Sequence, residues 1–180
     1  MKVKKVKTIS TKLTKEIVES LNAGDEVLLN GTIFTARDAA HKRLISLIDR
    51  SEKLPVDLRD QILYYTGPTP PKPGYVIGSA GPTTSSRMDS YTPKLIEATG
   101  LRGLIGKGNR SKPVIEAMIS HGCVYFAAIG GAGALLSKCI TKAEIVCYED
   151  LGPEAIYKLD VQDFPVIVAT DCRGKSLFQD

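Results

Sequence analysis

The sequence has little of several features that mark whole classes of protein. Its 180 residues contain no apolar run near the roughly 20 residues that a membrane span requires, and no start typical of a secretory leader. A charged fraction of 24%, with 16 Gly and 10 Pro, is ordinary for a globular chain and excludes a disordered or collagen-like protein. We therefore expect a single domain over residues 1–180 that is cytoplasmic and not bound to a membrane.

Metal-ligand patterns are also lacking. The cysteines include no C-x-x-C pair and have no histidine at metal-ligand spacing; they are Cys123, Cys139, Cys147 and Cys172. We interpret them as small buried apolar side chains rather than as disulfides or ligands. The sequence therefore predicts no metal site in this chain.

The net charge is too small to indicate a nucleic-acid partner. The chain has 24 Lys+Arg against 20 Asp+Glu, a balance of +4. Its densest basic run, residues 2–7, alternates lysine with valine, which predicts a strand with one solvated face. Because no aromatic side chains interleave with these lysines to stack on bases, we expect no nucleic-acid binding.

Hydrophobic patterns indicate two kinds of structure along the chain. Residues 26–35 favour two strands around an Asn30-Gly31 turn, so the N-terminal third resembles a hairpin. From residue 75 onward, short apolar strands, the first at residues 75–78, alternate with Gly-rich turns and helices, which predicts a parallel layer. The expected fold class is α/β, a layered β/β/α domain with a mixed, partly parallel sheet.

Fixed positive charges stand on the Gly-rich or helix-opening turns of this pattern: Arg37, Arg87, Lys107 and Arg110. Ligands of open α/β sheets collect where strands end and helices begin. Arginine meets a carboxylate with a planar fork and lysine with a point charge, so the set suits a small dicarboxylate. Taken singly, each residue is better explained by a surface ion pair, and only their joint placement on turns beside glycines favours a ligand. Neither residues 106–111 nor residues 131–136 complete a nucleotide-binding fingerprint.

Two segments, residues 81–91 and residues 106–111, resemble signature segments of the iron–sulfur class I fumarate hydratases and their tartrate dehydratase relatives. Further stretches look like the same family in the same order, at residues 31–43, 128–131 and 151–165. The resemblance is to the β subunit of the two-subunit form, which is equivalent to the C-terminal domain of the single-chain form.

This resemblance implies a swivelling β/β/α fold and the reversible hydration of a C=C bond. It implies that Arg37, Arg87 and Lys107 bind substrate and that Thr83 occupies the position of the catalytic base. It also implies a partner α subunit whose cysteines hold a 4Fe-4S cluster, with no cluster ligand in this chain. The expected protein is the β subunit of a hydro-lyase that interconverts fumarate and (S)-malate and is active only with its α subunit.

Several alternatives stay open at this point. The chain could equally be the β subunit of an L(+)-tartrate dehydratase, or a dicarboxylate-binding domain without catalysis, and the heteromer could be larger than a pair. Thr83 is either the base or a proton relay, because an aliphatic hydroxyl is a weak base at neutral pH. His41, four residues after Arg37, is favoured as a structural group. Asn109 and Arg110 either position Lys107 or contact the ligand.

Overall fold

The computed structural model describes residues 6–128 and 133–178. In chain order its elements are β1 (Lys7–Ser10), α1 (Lys15–Ser20), β2 (Glu26–Thr35), α2 (Asp38–Asp49), β3 (Ile62–Tyr64), a 3-10 turn (Ser85–Met88), α3 (Thr92–Thr99), β4 (Gly103–Gly106), α4 (Lys112–His121), β5 (Val124–Ala127), α5 (Gly133–Ser137), β6 (Ile140–Cys147), a second 3-10 turn (Glu149–Glu154) and β7 (Ile156–Thr170). Among these described helices, none has the length and apolar character needed to cross a membrane.

The strands form one mixed sheet in the order β1-β2-β3-β4-β5-β7-β6. Neighbours from β1 to β5 run parallel, whereas β7 runs antiparallel to β2, β5 and β6. Because β7 pairs with both β2 and β5, the strands β2, β3, β4, β5 and β7 close a circuit, with β1 and β6 attached outside it. The predicted α/β fold with a mixed, partly parallel sheet is confirmed.

β2 is continuous through the Asn30-Gly31 pair, so the predicted hairpin turn is wrong. Its pairing with β7 shifts register between Leu29 and Gly31 and then continues. Gly31 has φ +126°, and a Cβ there would lie 2.5 Å from the Thr11 hydroxyl oxygen. A bulge inside a long strand and a hairpin turn both use glycine at positive φ, so the local signal does not separate them. The N-terminal third is parallel, with β1 and β3 on either side of β2.

Residues 75–78 form no strand, which corrects a second expectation. Gly78 N–H donates to Thr69 O, and Thr69 N–H donates to Ser79 O, but these two backbone hydrogen bonds do not continue into a strand ladder. The surrounding segment contains four prolines between residues 68 and 73, and a proline has no N–H with which to extend a ladder. The expected basic strand over residues 2–7 falls mostly outside the described residues, and the first described strand begins at Lys7.

The central strands are buried on both faces. Consecutive residues of β5 alternate between two apolar clusters, with Phe126 in one and Tyr125 in the other. The first cluster also holds Phe164 of β7, and the second takes the inward faces of α2, α3 and α4, for example Met118 of α4. Strands covered on both sides are typical of parallel sheets in α/β proteins. This double burial fixes the strand ends on which the candidate site lies.

Candidate functional site

The carboxyl ends of the parallel strands lie at one edge of the sheet, and the predicted site residues lie in the turns beyond these strand ends. Arg37 comes after β2 and caps α2. Thr83 N–H donates to Tyr65 O at 2.7 Å, just beyond β3. Ser85 N–H donates to Lys107 O at 2.9 Å, just beyond β4. The structure therefore brings the turns that carry Arg37, Thr83, Arg87 and Lys107 to the same edge.

Arg37 and Arg87 meet at a shared carboxylate. Arg87 Nε donates to Asp38 Oδ1 at 3.2 Å, while Asp38 Oδ2 lies 3.9 Å from Arg37 Nη2. On its other side, Arg37 Nε lies 3.9 Å from Glu154 Oε1. The Arg37 side chain is 25% exposed and the Arg87 side chain 53%. Sequence reasoning missed both carboxylates, because Asp38 in the first turn of a helix is explained equally well by the helix dipole.

Buried polar atoms at this end of α2 lack hydrogen-bond partners among the described residues. They are Arg37 Nε, Asp38 Oδ2 and His41 Nε2. A buried polar group left unpaired costs about 1–3 kcal/mol, so such groups normally find a partner in water or a ligand. A ligand carboxylate placed against the Arg37 guanidinium would give the unpaired Nε donor its acceptor.

The Arg37 side chain runs through a narrow gap in the fold. A Cβ at Gly67 would lie 3.1 Å from both Cδ and Nη1 of Arg37 and 3.2 Å from Pro153 O. Contacts that tight require neighbouring atoms to move, so a larger residue at position 67 would press on the guanidinium. The absence of a side chain at Gly67 therefore helps to set the path of Arg37.

Thr83 and Lys107 hold their backbones in place and leave their side chains available. Thr84 and Lys107 form an isolated parallel bridge, so the two turns touch through the main chain. Within residues 6–128 and 133–178, neither the Thr83 hydroxyl nor the Lys107 ammonium makes a hydrogen bond or ion pair. Lys107 is exposed and Thr83 half-buried. A hydroxyl and an ammonium at adjoining turns are therefore open to a ligand.

Arg110 does not join this open set, so its place among the expected dicarboxylate-binding cations is corrected. Its side chain is fully buried, with Nε donating to Asp89 Oδ1 at 2.8 Å. Nη1 donates to Tyr65 Oη at 3.2 Å and Nη2 to Thr92 Oγ1 at 2.9 Å. Burial alone would lower the pKa of Arg110, but Tyr65 and Asp89 outweigh it and the pKa lies above its ordinary value. A turn position in the sequence does not reveal that the side chain points inward.

His41 is fully buried beneath the Arg37 turn. Its Nδ1 lies 2.7 Å from Arg37 O, and because a carbonyl oxygen only accepts, Nδ1 carries the proton. Burial lowers the pKa of His41 to about 4, so the imidazole is neutral at physiological pH. The ring packs edge-on to Tyr65, 5.4 Å between centroids. These contacts favour the structural interpretation of His41.

The described residues do not fit an iron–sulfur cluster. They contain no group of three or more His, Cys, Asp or Glu side chains that could hold a metal ion. Cys123 is buried, and burial raises the pKa of its thiol to about 12, although the thiolate is the form that binds metals. The glycines of the 128–131 segment lie outside the described residues.

A cleft of about 760 Å³ lies at the amino ends of the strands, away from the candidate site. Its lining includes Arg102 and Gly122, which come just before β4 and β5 respectively. The lining also includes His121 and Arg173. Ligands of α/β sheets bind at the carboxyl ends of strands, so we assign the candidate site to the edge that carries Arg37 and Lys107.

Comparisons with known proteins show the family of this chain. The family model described as "Fumarase C-terminus" matches residues 1–180. The chain is 42% identical over 169 residues to "Fumarate hydratase class I, aerobic" of Escherichia coli (strain K12), covering 92% of this chain and 31% of that protein. It is 40% identical over 156 residues to "Fumarate hydratase 2" of Leishmania major, covering 86% and 28%.

A shorter relative matches along most of its own length. It is "Putative L(+)-tartrate dehydratase subunit beta" of Methanocaldococcus jannaschii, 41% identical over 174 residues, which cover 94% of this chain and 89% of that protein. The chain thus spans about a third of the fumarate hydratases and most of the subunit. Because this family model matches the chain over residues 1–180, the chain belongs to the Fumarase C-terminus family.

Proposed function

We propose that this chain is the β subunit of a two-subunit hydro-lyase that interconverts fumarate and (S)-malate. The observation that carries the proposal is the meeting of Arg37 and Arg87 at one carboxylate, next to the free ammonium of Lys107. Three cations at one strand edge suit a ligand with two carboxylates. The names of the relatives, a fumarate hydratase and a tartrate dehydratase subunit, support a reaction of hydration and dehydration.

Binding is proposed to exchange the chain's own carboxylates for those of the substrate. Both contacts of Arg37, to Asp38 and Glu154, are 3.9 Å long and fall outside hydrogen-bonding distance. Arg37 therefore keeps its donors for a planar two-point contact, and the half-exposed Arg87 offers a second one. Lys107 adds a compact charge from the neighbouring turn.

The proton step is assigned to Thr83. In dehydration a proton leaves the carbon next to a carboxylate, and negative charge builds on that carboxylate, where Arg37, Arg87 and Lys107 stabilise it. The C=C bond forms as the C–O bond of the neighbouring carbon breaks, and the departing hydroxide and a proton together make the water that is released. The Thr83 hydroxyl orients or relays the proton that leaves the carbon. Nearby cations favour the anionic form of such a hydroxyl, which offsets part of its weak basicity.

The 4Fe-4S cluster is assigned to a partner α subunit. The described part of this chain offers no group of three or more metal-ligating side chains, and the longer relatives contain sequence beyond the part that this chain matches. The chain covers only 31% of the Escherichia coli fumarate hydratase but 89% of the Methanocaldococcus jannaschii subunit. We therefore assign substrate carboxylates and the proton to this chain, and the cluster to the other.

A second candidate is the β subunit of an L(+)-tartrate dehydratase. One observation favours it, namely that the relative matching in length carries that name. Tartrate differs from malate by one hydroxyl, so the same cations would bind both. The substrate is then decided by turnover of the complex with each compound.

The proposal is tested in the complex of this chain with its cluster-bearing partner, prepared without oxygen. We expect fumarate hydration by the unaltered complex and at least a 100-fold lower kcat for Thr83→Ala, the scale of a lost proton-transfer group. Thr83→Ser keeps a hydroxyl and loses less. Thr84→Ala, at the exposed neighbouring threonine, is the matched control and stays within about twofold of the unaltered complex.

Two results would contradict the proposal in different places. Unchanged turnover in both Thr83 variants would remove Thr83 from the proton step and leave the carboxylate-binding roles standing. A cluster-loaded complex that turns over neither fumarate, malate nor L(+)-tartrate would contradict the hydro-lyase itself.

A further inference from the structure

Three of the four proposed site residues lie on two short segments that must keep a fixed arrangement. Residues 83–89 carry Thr83 and Arg87, and residues 106–111 carry Lys107. The 3-10 turn at Ser85–Met88 lies in the first segment, and residues 107–111 of the second lie between the end of β4 and the start of α4. The main chains of the two segments touch through the Ser85 N–H to Lys107 O hydrogen bond and the adjoining bridge.

Asp89 supplies a second tie between the segments. Its Oδ1 accepts from Arg110 Nε at 2.8 Å, and its Oδ2 accepts from Ser111 N–H at 2.7 Å. Asp89 ends the 3-10 turn that carries Arg87, and Arg110 and Ser111 end the turn that carries Lys107. Both oxygens of one carboxylate therefore join the two segments, each through a charge-assisted hydrogen bond.

The Arg110 guanidinium extends the tie to the elements beneath. Its Nη1 and Nη2 donate to Tyr65 Oη and Thr92 Oγ1. Thr92 donates its own proton to Met88 O, so it accepts from the Tyr65 hydroxyl, which lies 3.2 Å away. The guanidinium carbon also lies 5.1 Å from the ring centre of Tyr65. The network thus reaches the end of β3 and the start of α3.

Tyr125 of β5 makes a third connection between the two segments. Its hydroxyl donates to Gly108 O at 2.8 Å and, with its own proton used, accepts from Ser85 Oγ at 2.9 Å. Gly108 belongs to one segment and Ser85 to the other. The Arg110 guanidinium lies 5.1 Å from this ring as well.

We propose that Asp89 and Arg110 are positioning residues that hold Lys107 at a fixed place relative to Thr83 and Arg87; this inference rests on the proposed function. A buried ion pair is weak as a source of stability, since well-packed apolar residues often do as well, but its hydrogen bonds fix direction. Here every bond of the pair ends on a segment or element that carries or borders a site residue. Arg110 is fully buried, and both oxygens of Asp89 accept hydrogen bonds from Arg110 and Ser111, so the proposal gives neither residue a contact with substrate.

The test compares Asp89→Asn with a matched variant, Asp60→Asn, in the cluster-loaded complex. Asp60 accepts from Arg102 Nε at 2.6 Å, just before β4 at the other end of the strands. Each oxygen of Asp89 accepts from a different donor, and asparagine replaces one of these oxygens with an NH2 group, so either Arg110 or Ser111 then faces a donor instead of an acceptor. We expect at least tenfold faster amide exchange in residues 83–89 and 106–111 together, a fivefold or greater rise in KM and a lower kcat. Asp60→Asn leaves these values within about twofold.

The rise in KM separates positioning from folding. A variant that only loses folded protein lowers the apparent kcat in proportion and keeps KM, and that result overturns the inference, as does faster exchange in one segment alone. If Asp89→Asn does not fold, Tyr125→Phe removes one hydroxyl and is expected to move KM and exchange in the same directions by a smaller factor. If the unaltered complex has no hydro-lyase turnover, the proposed function fails, and the exchange comparison alone decides whether Asp89 couples the two segments.

Discussion

At the level of single residues, burial decides which charged groups at the α2 end of the site can act. His41 is neutral because it is desolvated, Arg110 is charged but enclosed, and Arg37 is partly open with an unpaired donor. Arg37, Arg87 and Lys107 could be singled out from the sequence because they stand on turns between elements. The role of Asp38 could not, and for Arg110 the sequence left open both a ligand contact and the positioning of Lys107, since a charged residue on a turn looks the same whether it meets a ligand or a buried partner.

His41 makes stability depend on pH. Its pKa falls from 6.5 to about 4 on folding, so the unfolded chain binds the proton more tightly. The titration of His41 therefore leaves the free energy of unfolding unchanged above about pH 6.5. Between pH 6.5 and pH 4 it falls by about 3 kcal/mol, because the unfolded chain takes up a proton that the folded chain does not. We expect His41→Asn, which keeps an N–H for Arg37 O and does not titrate, to flatten this dependence in urea unfolding between pH 7 and 4. His121→Asn, at the exposed histidine, is the control and keeps the slope; an unchanged slope in His41→Asn would contradict the assignment.

At the level of elements, the structure depends on close approaches that the sequence marks only with glycine. The alternation of short apolar strands and helices after residue 75 predicted the parallel layer that contains β4, α4 and β5, because the apolar residues of these elements recur regularly. Such patterns could not distinguish the Gly31 bulge from a hairpin, or foresee that β7 runs without a break from Ile156 to Thr170. Charged residues such as Lys158 and Asp160 interrupt its apolar pattern, and only the strands paired on either side make it continuous.

Gly106 is the close approach that matters for the site. A Cβ there would lie 1.8 Å from Ser85 Oγ, at the end of β4 and next to Lys107. We expect Gly106→Ala to lower the free energy of unfolding by about 1–3 kcal/mol, the usual cost of overpacking, as measured by urea titration. Ser85→Ala removes the obstructing oxygen, so the double variant should recover part of the loss relative to the sum of the single changes. Strictly additive losses would show that the Ser85 contact is not the cause.

At the level of the whole molecule, the sheet closes on itself through β7, and the site lies at one edge of the parallel strands it closes. In the proposed enzyme, this chain supplies the cations and the hydroxyl, and a partner chain supplies the metal chemistry. This division is proposed on the family resemblance, because composition and spacing say nothing of a partner. The comparisons then showed the family, with a match to most of a β subunit and to a third of longer enzymes.

The most direct test of the division of labour is fumarate hydration measured without oxygen on this chain alone and on the chain purified with its cluster-bearing partner. We expect no turnover from the chain alone, and turnover from a complex of about one to one that contains iron. Fumarate hydration by the purified single chain would contradict the two-subunit account, and so would an iron-loaded complex that leaves fumarate, malate and L(+)-tartrate unchanged.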